Sequence, residues 1–133
     1  MTDEDEEAEA KIIECYVKIK DLHIEEYGEC DKRTLKNLRE LALVQSKKKL
    51  YEDALNTIVE IESSEKVIYG EKSKQLAKTY SLKATLLYKI GDRAQAKELL
   101  RKAAQLYEDL GDKDSASKTR VKLEQINQSK NYD

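Results

Sequence analysis

The chain offers little for covalent chemistry: His23 is its sole histidine, and Cys15 and Cys30 are its only thiols. A nucleophile activated by a base would need one of those thiols beside that imidazole, and a multi-histidine metal site is excluded by number. The cysteines lack C-x-x-C spacing and have no second cysteine–histidine group nearby. They therefore read as buried or half-buried thiols, and His23 as a partly exposed helical residue. Carboxylate pairs such as Glu25-Glu26 and Glu60 with Glu62 fall in charge runs that suit a solvated helix face with partners four residues away. The four glycines are isolated, which leaves no phosphate-cradling loop. No catalytic, cofactor-binding or metal-binding residue is expected, so the chain reads as a non-enzyme whose function lies in the surface its helices build.

Those helices are written as apolar stripes. Leu38, Leu41 and Ala42 share one face of a helix, and Leu50, Ala54, Ile58 and Ile61 one face of the next, at three-and-four spacing. The pattern returns as Tyr80, Ala84 and Leu87 followed by Ala96, Leu100 and Ala103, with Gly91 in the turn. The offset is 96 − 54 = 42 and 84 − 42 = 42. Upstream, the same offset carries Ala54, Ile58 and Ile61 onto Ile12, Tyr16 and Ile19, and Tyr69-Gly70 onto Tyr27-Gly28. A fixed period of this size marks a solenoid built from one supersecondary unit. Predicted helices run over 5–27, 31–47, 50–69, 73–89, 92–110 and 113–129, with Asp31 and Ser73 as N-caps and Gly28, Gly70, Gly91 and Gly111 as left-handed stops.

Leu38, Leu41, Ala42, Tyr51, Ala54 and Ile58 in one unit, and Tyr80, Ala84, Gly91, Ala96, Leu100 and Ala103 in the next, resemble tetratricopeptide repeats. That family's unit is about 34 residues, a helical hairpin with small residues where its helices touch. The longer period is similar to the extended repeats of the kinesin light chain family. Lys49 stands where the turn glycine would be, and Arg93 where Tyr51 predicts an aromatic. The resemblance covers roughly residues 10–126 and implies an all-α solenoid of antiparallel hairpins. Its parts would be an acidic disordered leader over 1–9, a partial repeat over 10–30, repeats over 31–72 and 73–112, a capping helix over 113–129 and a disordered tail over 130–133.

Composition agrees with an open helical array. Charged residues are 39% of the chain and hydrophobic residues 39%, with no proline, phenylalanine or tryptophan. The formal net charge of −2 argues against a nucleic-acid partner, because phosphate backbones are held chiefly by clustered Lys and Arg. No run of about 18 apolar residues is present to span a membrane, and the acidic N-terminus is unlike a secretory signal. The expected setting is cytoplasmic, with cytoskeletal association implied only by the subfamily resemblance.

In such arrays the resemblance implies that the first helix of each hairpin lines a concave, peptide-binding groove. Carried onto this chain, the groove positions are Lys36, Arg39, Leu43, Ser46 and Lys47 in one unit and Lys78, Ser81, Thr85, Tyr88 and Lys89 in the next. The period pairs Lys36 with Lys78 and Lys47 with Lys89, and in one register Lys78 with Arg120. A basic stripe thus lies on an acidic protein. It is either an ordinary solvated face or a docking groove for an acidic peptide or partner tail, with Leu43 and Tyr88 giving apolar contact. The first reading of function is a scaffold or adaptor. Its rival is an assembly element that self-associates through the first helix, whose partner helix is missing from the pattern.

Overall fold

The computed structural model describes residues 3–128. Among them are six α-helices and no strand: α1 (Asp3–Tyr27), α2 (Lys32–Lys47), α3 (Tyr51–Tyr69), α4 (Lys74–Ile90), α5 (Arg93–Asp109) and α6 (Lys113–Gln128). The helix bounds fall within two residues of those predicted. The leader differs, because the chain is helical from Asp3 onward. Asp3, Glu4, Asp5 and Glu6 occupy the first turn, where carboxylates favourably face the positive end of the helix dipole. The tail assigned to 130–133 lies outside the described residues.

The helix ends have identifiable causes. Asp31 caps α2 by accepting from the Arg33 N–H at 2.8 Å, and Ser73 caps α4 by accepting from the Leu76 N–H at 3.1 Å. Asp92 takes the Gln95 N–H at 3.2 Å, and Asp112 the Ser115 N–H at 3.1 Å, at the starts of α5 and α6. After α2, the Leu50 N–H reaches the Gln45 carbonyl at 2.9 Å; after α4, the Asp92 N–H reaches the Leu87 carbonyl at 2.8 Å. Both are the six-to-one bond of a left-handed helix stop, and they recur at the 42-residue offset. The left-handed residue is Gly91, φ 109°, in one turn and Lys49, φ 62°, in the other. The substitution noticed in the sequence therefore keeps the turn rather than abolishing it.

The chain divides into two compact units, Met1–Ser64 and Glu65–Asp133, with the division inside α3. In the first, α1 packs against α2. Leu35, Leu38, Leu41, Ala42, Ala54, Ile58 and Ile61 are buried. Polar contacts align the elements: the Asn37 amide donates to the Tyr16 carbonyl at 3.0 Å, and the buried Thr57 hydroxyl donates to Gln45 Oε1 at 2.7 Å. α1 itself has no buried residue. In the second unit, α4 packs on α5 and α5 on α6. Leu76, Ala77 and Tyr80 meet Ala103 and Leu106, with Leu99, Tyr107 and Leu110 at the edge. Ala96, Ala103 and Ala104 of α5 are fully buried, which suits close helix approach.

Some expected core positions are on the outside. Leu50 is 40% exposed, Val121 57%, Ile12 48% and Ile19 40%. Both thiols are exposed as well, contrary to the buried placement read from their spacing. Cys15 shares a face of α1 with Ile12 and Ile19, and that face has no covering helix among the described residues. Cys30 sits in the turn between α1 and α2.

Candidate functional site

Helix α2 presents a continuous outward face. Lys36, Arg39, Leu43 and Lys47 are all exposed and follow one another at spacings of three, four and four, which keeps them on one side of a helix with about 3.6 residues per turn. Leu43, 56% exposed, gives the face an apolar centre, and Ser46 is half-buried beside it. Lys36 and Lys47 form no ion pair among the described residues. At the C-terminal end of the helix, Lys47, Lys48, Lys49 and Leu50 border an open hollow of about 610 Å³ whose other wall is Glu6, Glu9, Ala10 and Ile13 of α1. Lys48 and Glu9 form an ion pair there.

Helix α4 divides its predicted set. Lys78, Thr85 and Lys89 point outward, as does Leu82 at 50% exposure. Ser81 and Tyr88 lie about 80° round the helix from that row, by the 100° step per residue. Ser81 is only 8% exposed, and its hydroxyl accepts from Lys122 Nζ at 3.4 Å. Tyr88 is half-buried, with the Arg93 guanidinium 5.4 Å from its ring centroid. A serine seven residues before a tyrosine fits either side of a helix boundary stripe, and only packing against α5 and α6 turns both inward. Leu82 was missed although Lys78 plus four reaches it.

The cation that α6 brings to α4 is Lys122, not Arg120. Arg120 is held by Glu108 of α5 at 2.7 Å and is thereby drawn away from Lys78. Four other lysines are engaged by nearby carboxylates: Lys11 by Glu7 at 3.6 Å, Lys18 by Glu14 at 3.2 Å, Lys74 by Asp112 at 3.7 Å and Lys118 by Asp114 at 3.1 Å. Lys78, like Lys36 and Lys47, has no such partner among the described residues.

The reactive residues do not converge. His23 is half-buried, meets the Tyr27 ring edge-on at 5.6 Å, and its Nδ1 has no hydrogen-bond partner. The Arg33 guanidinium lies over the Tyr27 ring, 3.5 Å from its centroid. Among the described residues no group of three or more His, Cys, Asp or Glu could hold a metal ion. No described helix is long and apolar enough to cross a membrane. The perturbed acids belong to helix caps: Asp31 is pulled down to about 2, first by its side-chain hydrogen bond with Arg33, and Asp112 is lowered by its bonds from Ser115 and by Lys74.

A solved structure shares this arrangement. The crystal structure of BtubC (BKLC) from P. vanneervenii superposes with a TM-score of 0.66 at 18% identity. The likeness covers 93% of this chain and 58% of that one, so the chain spans a little over half the length of its structural neighbour. The likeness is one of fold: an all-α, solenoid-like helical repeat. No protein-family profile and no curated protein sequence matches the chain.

Proposed function

We propose that this chain is a non-catalytic interaction module, a scaffold or adaptor of tetratricopeptide type that docks acidic peptide segments on the outward face of α2 and, taken by itself, on that of α4. One observation carries the proposal: Lys36, Lys47 and Lys78 stand exposed without ion-pair partners among the described residues, while Lys11, Lys18, Lys74 and Lys118 each have one. A lysine with no internal carboxylate keeps its charge available to steer and orient an anionic ligand. Leu43 on α2 and Leu82 on α4 supply apolar contact within the same rows, so a peptide mixing acidic and apolar side chains fits best. Arg39, Thr85 and Lys89 extend the rows, whereas Ser81 and Tyr88 act by bracing the helix from beneath. A cytoplasmic adaptor role accords with the helical-repeat likeness to BtubC.

The test is a binding titration with acidic peptides containing leucine. The set Lys36→Glu, Lys47→Glu and Lys78→Glu removes three attractions and adds three repulsions. At about 0.5–1 kcal/mol for each exposed charge contact, binding should weaken at least tenfold with helicity unchanged. Retained affinity in the triple variant rejects the basic faces as the docking surface.

A further inference from the structure

Helix α1 carries a second surface, separate from the lysine rows. Ile12, Cys15, Ile19 and Leu22 recur at spacings of three, four and three along one side, and Ile12, Ile19 and Leu22 are 48%, 40% and 61% exposed. The side that meets α2 is different, made by Glu9, Ile13, Tyr16, Lys20, His23 and Tyr27, all half-buried. The repeat shows what the exposed side is built for. Adding 42 to its positions gives Ala54, Thr57, Ile61 and Ser64 of α3, each between 0% and 5% exposed. Adding 84 gives Ala96, Leu99, Ala103 and Leu106 of α5, and Ala103 and Leu106 are packed there by Leu76, Ala77 and Tyr80 of α4. The same register that receives a helix in the second unit is bare in α1.

We infer that this face of α1 is a dimer interface, covered by α1 of a second copy running antiparallel. The stripe is self-complementary in that direction. Ile12 lies against the partner's Leu22, and Cys15 against the partner's Ile19, giving four apolar layers related by a two-fold axis. Charge on the flank fits the same arrangement: Lys11 comes beside the partner's Glu25. The two Lys18 meet near the axis, each already engaged by its own Glu14 at 3.2 Å. A parallel pair would instead lay the acidic first turns, Asp3, Glu4, Asp5 and Glu6, of both copies side by side.

Sedimentation of the full chain across low to high micromolar concentration reads the proposal directly. The expected mass rises from 15.4 kDa to twice that value. Ile19→Glu and Leu22→Glu change only exposed side chains, so each should hold the lone-chain mass at every concentration with the circular dichroism unchanged. Direction is read by disulfide cross-linking with a mild oxidant in a Cys30→Ser background. Adding Ile19→Cys should place the new thiol opposite Cys15 of the other copy and raise the yield of covalent dimer several-fold over Cys15 alone. A lone-chain mass throughout the range overturns the proposal, as does dimerisation that survives both charge variants. Efficient linkage through Cys15 alone, with no gain from Ile19→Cys, overturns the antiparallel direction.

Discussion

Lys49 occupies a backbone conformation that its equivalent, 42 residues on, assigns to glycine, and replacing it should stabilise the protein. Its φ of 62° lies in the left-handed region, which disfavours a side chain bearing Cβ by about 1–2 kcal/mol. Glycine removes that cost and adds roughly 0.5–1 kcal/mol of extra chain entropy in the unfolded state. The net expected gain is about 0.5–1 kcal/mol. Lys49→Ala serves as the control, because it discards the same charge from the hollow beside Glu6 and Glu9 while keeping the Cβ. The mirror change, Gly91→Ala, meets no atom within 4 Å of the added Cβ, so its penalty is conformational alone. With φ at 109°, beyond the basin that alanine tolerates, that penalty should be at least about 1 kcal/mol. Urea unfolding followed by circular dichroism gives all three values. If Lys49→Gly is no more stable than Lys49→Ala, or Gly91→Ala costs nothing, then the two turns are not the equivalent stops that the period requires.

Three more expectations follow from the packing and the caps. Ala96→Leu should lose about 1–3 kcal/mol by overpacking a fully buried seam, whereas Ile12→Ala, at the equivalent but exposed position, should lose under about 0.5 kcal/mol when measured at concentrations where the chain is a monomer. Ser73→Ala removes the acceptor of the Leu76 N–H and should cost about 1 kcal/mol in the same urea assay. The carboxyls of Asp31 and Asp112 are lowered in the folded state, so their contribution is complete above the ordinary carboxylate range and is lost as pH falls below it, for Asp31 toward about 2. Thermal midpoints measured down that range should fall less steeply in Asp31→Asn than in the parent.

The helices and their period were legible because burial repeats with the sequence: Ala54 and Ala96, or Ile61 and Ala103, occupy one register and are equally enclosed. Caps and stops were legible for a local reason, since Asp31, Ser73 and the glycines act on backbone groups within a few residues of themselves. What a side chain does on a helix flank depends on a neighbour that the local pattern does not name. Ser81 turned inward because Lys122 reaches it from α6, and Arg120 was diverted by Glu108 from α5. Tyr88 was expected to offer an open aromatic face and is half-buried beside Arg93 instead. Ile12 and Ile19 have the register of a core, and no helix covers them among the described residues. The first turns of α1 were read as a disordered leader from their acidity, yet carboxylates at a helix start are stabilising, and Glu9 finds Lys48 across the hollow.

The most direct measurement is an amide chemical-shift titration of the isotope-labelled chain with an acidic, leucine-containing peptide. Docking on the lysine rows predicts saturable shifts centred on Lys36, Arg39, Leu43 and Lys47 of α2 and on Lys78, Leu82, Thr85 and Lys89 of α4, reduced when salt is raised. Saturable shifts confined to other helices, or no shifts at low salt, would contradict it.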